Sequence, residues 1–575
     1  MKSPKKAQDG RKLIIGIDFG TTYSGIAWAE TKQPDRNTAI TTWPVSATSP
    51  EGESSAKVPT KLRYTKKEVQ WGFSIPGNVP ENEVVEWFKL DLDKTTKAMT
   101  QSSQKLSARG GRAPAQLVTD FMERLGAHLH YILQHKLGDA VLKSTPMEFV
   151  VTVPAMWSDS AKDLTRQACQ NAPSLGANGR LIHLVSEPEA AALYALQGLD
   201  PHGLKVNQTI LLVDAGGGTV DLIAYRIRQL KPILELEEAA PGTGGICGSS
   251  WLNRRFEKFL QDKLCHLDGF GQEVVYEAVD VFEKKIKRQF ASKTPDNETF
   301  TIPLGGVANS AQLGVRRGRF AMKASDVREI FNPVVNEIIK LIKAQLQSIK
   351  TPVTVVLLVG GFGASMYLRD RITDAVGKTV RVLQPPNAWQ AVVQGAVLKS
   401  LANNDPKTAP VAVRARKARR SYGVLLRAAY QHELHAHLAH LKDWDEFAGC
   451  HRVPVMYWFG DAVLEDRAVP ISYEFTQHVH LGRPFELEMA IKYDRANRTL
   501  AGAVITQDKD VLDLSTLRAG LGHIPEESLS QGLGADGSLY YRLQCEVHAT
   551  FKSASTEYSL YYNGRRYHTV TCEYA

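Results

Sequence analysis

The 575-residue chain has little cysteine: six residues, at 169, 247, 265, 450, 545 and 572, and no CxxC pair. Sparse, unpaired thiols exclude a disulfide framework and a four-cysteine zinc site, and they suit a reducing compartment. Long apolar runs are also missing. No stretch approaches the ~18 residues that a membrane-spanning helix needs. The apolar run after the basic N-terminal residues is short and is broken by Asp18, which argues against a signal peptide. A cytoplasmic protein is expected, with the nucleus as the alternative. Charge of one sign is scarce as well. Seventy Lys and Arg against 61 Asp and Glu leave a net +9, a mild excess over this length and a weak argument for nucleic acid. Basic residues cluster at Lys2, Lys5, Lys6, Arg11 and Lys12, and again at Arg414, Arg416, Lys417, Arg419 and Arg420. Both clusters read as solvated segments, so no nucleic-acid partner and no membrane span are expected. With 43% apolar and 23% charged residues the composition is that of ordinary globular proteins. The length predicts roughly two to four domains.

Short apolar runs alternate with amphipathic stretches over the first 400 residues. LIIGID (13–18), EFVVTVP (148–154), TILLVD (209–214) and TVVLLVGG (354–361) suit strands buried on both faces. Between them, Leu117, Phe121, Leu125 and Leu129 paint one side of a helix over 117–133. A second helix is expected over 325–348, with Ser325-Asp326 as its N-cap and Pro333 inside it as a kink. Strands alternating with helices predict an α/β architecture. One internal echo stands out. IIGIDFGTTYSGIAWA (14–29) and ILLVDAGGGTVDLIAY (210–225) each run strand, Asp, Gly/Thr turn, strand, and they place Asp18 and Asp214 in register 196 residues apart. A repeat on that scale predicts two similar lobes facing one cleft. The polar stretch 399–420, with its two prolines, reads as a linker. Beyond it β-type segments dominate, and Asn563-Gly564 between two alternating runs predicts a tight hairpin.

The turn DFGTTYSG brings chemistry. Gly20 lets a ligand approach the backbone closely. The N–H groups that follow, with the hydroxyls of Thr21 and Thr22, can donate to phosphate oxygens. Asp18 repels a bare phosphate and makes sense only with a cation between them; Mg²⁺, which takes one or two carboxylates plus phosphates, fits that place. DAGGGTVD repeats the logic with Gly216, Gly217, Gly218 and Thr219 between Asp214 and Asp221. A third glycine turn, Gly360, Gly361 and Gly363 after a strand, would let a nucleoside lie against backbone. Two decoys fail on single residues. Gly377-Lys378-Thr379 has Ile372 where a P-loop needs glycine and reads as a helix C-cap. HELHAHLAH (432–440) has Ala436 where a zinc HExxH motif needs histidine.

Together these motifs resemble the superfamily of sugar kinases, actin and the heat shock protein 70 ATPases, and most closely the heat shock protein 70 chaperones. FVVTVPAMWSDSAKDLTRQA and LVSEPEAAALYAL carry the resemblance further, in the family's order. The resemblance implies a two-lobed actin-like ATPase fold, with duplicated ribonuclease H-like lobes, over residues 12–403. A linker at 404–420 and a smaller, atypical β-rich domain over 421–575 would follow. It implies ATP or ADP with Mg²⁺ as ligands, Asp18 and Asp214 holding the metal, Thr21, Thr22 and Thr219 with neighbouring N–H groups cradling the phosphates, and Tyr23 among the nucleotide-binding residues. It implies that Glu187 positions the attacking water and that Lys89, in EWFKLDL, reaches the γ-phosphate. Glu283, Lys287 and Arg288 resemble the clamp on the adenine ring, with the register around Glu283 offset by one residue. Gly248, with Ser249 and Ser250, occupies a phosphate-side loop of different sequence.

There are departures. Gly363, Ala364 and Ser365 stand where the family stacks an arginine on adenine, and neither the leucine-rich acidic linker nor a long helical lid is readable. The expected function is an ATP-binding, ATP-hydrolysing chaperone-like protein whose C-terminal domain meets protein clients or co-chaperones. The alternatives are a non-catalytic ATP-binding regulator or scaffold, and a small-molecule kinase of the same superfamily.

Overall fold

The four apolar runs form the strands Leu13–Asp18, Met147–Val153, Thr209–Ala215 and Val353–Val359. They are buried along almost their whole length, as expected of strands covered on both faces. The computed structural model describes residues 10–93 except 47 and 78, 110–198 except 181, 203–417, 420–459, 462–464, 468–495 and 509–574. Lys2, Lys5, Lys6 and Arg419 of the basic clusters lie outside these residues.

Two sheets repeat one plan. The first orders its strands Ile182–Ser186, Met147–Val153, Leu13–Asp18, Tyr23–Glu30, Gln33–Ala39. Five strands of the second run Arg381–Leu383, Val353–Val359, Thr209–Ala215, Val220–Gln229, Leu234–Gly245. In both, the first three are mutually parallel and the last three mutually antiparallel. The sequence echo is thus a repeat of topology, and Asp18 and Asp214 end equivalent central strands, facing Gly25 and Asp221 across their hairpins.

Helix Pro114–Leu137 buries Leu117, Phe121, Leu125 and Leu129 against the first sheet's core, as their spacing predicts. Helix Glu187–Gly198 packs on the second sheet and helix Ala391–Asn404 on the first, and the two helices pack on each other. The crossing is close enough that a Cβ on Gly395 would lie 1.7 Å from the Ala190 carbonyl oxygen. Val393, Val397 and Leu401 seal against Ile14, Ala27 and Ala29. Among the described residues no helix is long and apolar enough to cross a membrane.

Two local expectations are corrected. The helix over 325–348 starts at Ala324 with Lys323 as N-cap, and Asp326 sits at N3, where its carboxylate accepts the Lys323 N–H at 3.3 Å. The backbone is already helical at Ser325 because Asp326 satisfies the end from inside the first turn. Residues 399–404, read as linker, are the end of helix Ala391–Asn404. The remainder holds a 3₁₀ turn, Pro406–Thr408, capped by Asp405, and the strand Val411–Lys417, whose Val-Ala-Val-Arg alternation outweighs its polarity. Gly377 does cap helix Met366–Val376, at φ +81°.

The chain divides into compact units Met1–Ala412 and Val413–Ala575. In the second, one antiparallel sheet orders Asp443–Asp445, Cys450–Phe459, Ser421–Ala429, Glu486–Asp494, Val511–Gly520, Thr571–Tyr574. Another is built on Ala468–His478, Leu539–Phe551, Thr556–Tyr562 and Arg565–Thr569. Both contribute to one core, including Val424, Ile491, Leu517, Ile471, Leu543 and Leu560. Asn563 and Gly564 both have positive φ, 50° and 71°, and join the last pair of that second sheet, the geometry of a primed turn.

Candidate functional site

Both aspartate-headed turns open into one cleft of about 2220 Å³ within the first unit. Each turn is shaped by its own glycines. A Cβ on Gly20 would fall 2.0 Å from the Tyr23 carbonyl oxygen, and the Gly216 N–H closes the second turn on the Thr219 carbonyl at 3.0 Å. The two turns also press on each other. A Cβ on Gly217 would lie 2.0 Å from Thr22 Oγ1, and one on Gly218 2.6 Å from Thr21 Oγ1. Only glycine allows the approach that brings both sets of hydroxyls and amides to one place.

Behind them lies a buried group of charges. Asp18, Asp214, Asp221 and Glu187 are all at most 9% exposed. Burial drives the Asp214 carboxyl well above its ordinary range, and Glu187, Asp221 and Asp18 add to the rise. Glu187 is pushed up to about 7 by burial; Lys89 opposes this, and Asp221 and Asp18 reinforce it. Among the described residues, two ammonium groups pair with members of this cluster. Lys89, from the turn after Trp87, donates to Glu187 Oε1 at 2.6 Å and to the Phe19 carbonyl. Lys57 donates to Asp18 Oδ2 at 2.5 Å. Thr152 Oγ1 reaches Asp18 Oδ1 at 3.4 Å, and the Ala155 N–H of the VPA segment donates to Asp221 at 3.0 Å.

Of the residues expected at a site, Asp18, Gly20, Thr21, Thr22, Tyr23, Lys89, Glu187, Asp214, Gly216, Gly217, Gly218, Thr219, Glu283, Lys287, Arg288, Gly360 and Gly361 line this cleft. Gly248 and Gly363 do not. Gly248 stands behind the second turn, its N–H on the Gly218 carbonyl at 3.1 Å, while Ser249 and Ser250 donate to Gly216 and Gly217. That loop spends its amides holding the turn in shape. Gly363 is buried against Leu358 in a 3₁₀ turn, its carbonyl bonded by Gln384 at 3.1 Å.

At the far wall, Lys287 pairs with Glu283 and donates to Ser249 O and Asn253 Oδ1, both at 3.1 Å. Burial raises Glu283, but Lys287 and the Asn253 bond outweigh it and leave the carboxyl below its ordinary value. The one-residue offset around Glu283 coincides with a π turn, Phe282–Ile286, the helical form that takes up an extra residue.

Among the lining residues that the sequence does not single out are Lys57, Trp87, Trp251, Arg254 and Trp389. The Arg254 guanidinium lies 3.6 Å from the Trp87 ring centre and 4.8 Å from that of Trp251. Trp87 itself has φ +62°, rare for so bulky a residue; it turns the chain two residues before Lys89. Trp389 meets Tyr23 edge-on at 5.6 Å and stands beside Gly361. Trp87 stands in EWFKLDL and Trp251 directly follows Ser249-Ser250, while Lys57, Arg254 and Trp389 sit in no recognisable motif.

The arrangement suits a magnesium-bound polyphosphate. Asp18 and Asp214 are oxygen donors of the kind Mg²⁺ takes alongside water, and they lie with Glu187 and Asp221 in one buried carboxylate cluster. The raised Asp214 and Glu187 reflect burial first, and then the crowding of like charges around them.

Comparison with known proteins points the same way. The profile of a family described as Hsp70 protein matches residues 90–408. Heat shock 70 kDa protein 12A of Homo sapiens is 24% identical over 508 aligned positions, covering 72% of this chain and 72% of that protein. Its Mus musculus counterpart is 24% identical over 518 positions, 73% of each. Heat shock 70 kDa protein 12B of Homo sapiens is 23% identical over 523 positions, 74% of this chain and 72% of that protein.

Proposed function

Because the chain belongs to the Hsp70 protein family, we propose that its cleft binds Mg·ATP between the two aspartate-headed turns and hydrolyses it, as the motor of a chaperone-like protein. The observation that carries this reading is the convergence of two glycine-threonine turns on one buried carboxylate cluster. Asp18 and Asp214 would hold hydrated Mg²⁺. Thr21, Thr22, Thr219 and the amides of Gly217 and Gly218 cradle phosphates, Gly216 shapes the turn that presents them, and Tyr23, Glu283, Lys287, Arg288, Gly360 and Gly361 flank the nucleoside. Gly248 and Gly363 support the walls from behind. The metal, when bound, supplies charge neutralisation on the phosphate oxygens.

Glu187 sits at the start of its helix, paired with Lys89. With its pKa pushed up to about 7, it is suited to orient a water and to accept its proton near neutral pH. That water's oxygen bonds to the γ-phosphorus as the bond to the ADP oxygen breaks. Lys89 offsets charge on the transferring group.

Residues 12–403 would do this nucleotide work, and 421–575 would meet protein clients or co-chaperones. Large apolar side chains exposed in that second part, among them Trp444, Leu481, Phe485 and Leu533, support a contact surface there.

A second reading, an ATP-locked scaffold with little turnover, is favoured by one observation: the Lys89 ammonium is already engaged by Glu187 and the Phe19 carbonyl. Two measurements decide. Calorimetry on Asp18→Asn/Asp214→Asn should show Mg·ATP affinity abolished; unchanged affinity would refute the site. Phosphate release that depends on Lys89, lost in Lys89→Ala, would eliminate the scaffold.

A further inference from the structure

A carboxylate beside a phosphate needs a cation between them, and in this cleft the chain provides one of its own. Lys57 is 7% exposed, and its ammonium bonds Asp18 Oδ2 at 2.5 Å. Its stem lies over Gly25, where a Cβ would come 3.3 Å from Lys57 Cγ. The residue lines the cleft together with Thr21, Thr22, Thr60 and the Gly216–Gly218 turn, where the polyphosphate would lie.

We propose that Lys57 is a resident counter-cation that binds the polyphosphate directly, so that this chain takes nucleotide with only partial dependence on a divalent metal. The inference rests on the nucleotide reading of the cleft. Without Lys57, Asp18 would repel a metal-free triphosphate at short range in a poorly screened site. With it, that repulsion is already offset. When Mg²⁺ enters between Asp18 and Asp214, like charges push the ammonium off Asp18. Lysine's four-carbon stem and freely rotating donors then let it move to a phosphate oxygen.

The experiment is ATP binding by calorimetry on the full chain, once in excess EDTA and once in Mg²⁺, for the wild type, Lys57→Met and Lys57→Arg, with thermal melts to show that each variant is folded. The wild type is expected to bind in EDTA within about tenfold of its Mg²⁺ affinity, and Lys57→Met to widen that ratio by at least about tenfold. Lys57→Arg, which keeps the charge, should stay near the wild type. Wild type that binds Mg·ATP but not ATP in EDTA overturns the inference and leaves the nucleotide reading standing. So does an unchanged ratio in folded Lys57→Met, which would make Lys57 a structural ion pair. If Lys57→Met does not fold, the wild-type ratio decides alone. Absence of binding in both buffers overturns the nucleotide reading and this inference together.

Discussion

Gly360 stands where a methyl group has no room. At φ +83°, its Cβ would lie 2.4 Å from both the Ala215 carbonyl oxygen and Asp214 Oδ1. Gly360→Ala must therefore shift the very strand end that presents the aspartate. The expected cost is about 1–3 kcal/mol from overpacking, on top of the left-handed backbone, with Mg·ATP binding lost in calorimetry; a variant that melts and binds like the wild type would contradict this geometry. Glu187 offers a different test. Its carboxyl goes from an ordinary 4.5 to about 7 in the fold. The folded chain therefore holds the proton more tightly, and this contribution to stability is present below about pH 4.5 and lost as pH rises towards 7. It amounts to at most about 3 kcal/mol. Without divalent metal the melting temperature should fall across that window. Added Mg²⁺ should raise it more at pH 8 than at pH 5, and Glu187→Gln should flatten the slope. A slope unaltered by that substitution would assign the pH dependence elsewhere.

At the level of elements, the crossing of helices Glu187–Gly198 and Ala391–Asn404 links the sheet carrying Asp18 to the one carrying Asp214. Its tightness depends on Gly395, which meets the Ala190 backbone rather than a movable side chain. Gly395→Ala should separate the helices, lower stability by about 1–3 kcal/mol in urea denaturation and weaken nucleotide binding from a position outside the cleft. Equal stability would mean that the helices do not pack so closely. Element existence was readable wherever period and length agreed, as in the four apolar strands and in the helix bearing Leu117 to Leu129. Ends were less readable. The helix at Ala324 is closed by an N3 aspartate rather than by a capping serine. The strand Val411–Lys417 was hidden by the same basic residues that made it look solvated.

For the whole molecule, the division at Ala412/Val413 leaves each unit with a hydrophobic core of its own, the condition for independent folding. Residues 1–412 expressed alone should melt cooperatively and bind Mg·ATP as the full chain does. A loss of binding on truncation would show that the second unit is needed to complete the site.

Two chain segments with one pattern, each carrying an aspartate and a glycine turn at the end of a buried strand, suffice to declare a duplicated α/β architecture, because strand burial and turn flexibility are local properties of the residues involved. The placement of Lys57 on Asp18, of Trp389 beside Tyr23 and of Arg254 between two tryptophans is not local. These partners lie 39, 366 and up to 167 residues apart, and Lys57, Trp389 and Arg254 themselves stand in no motif that marks them. Only the folding of both sheets around one cleft brings those charges and rings together.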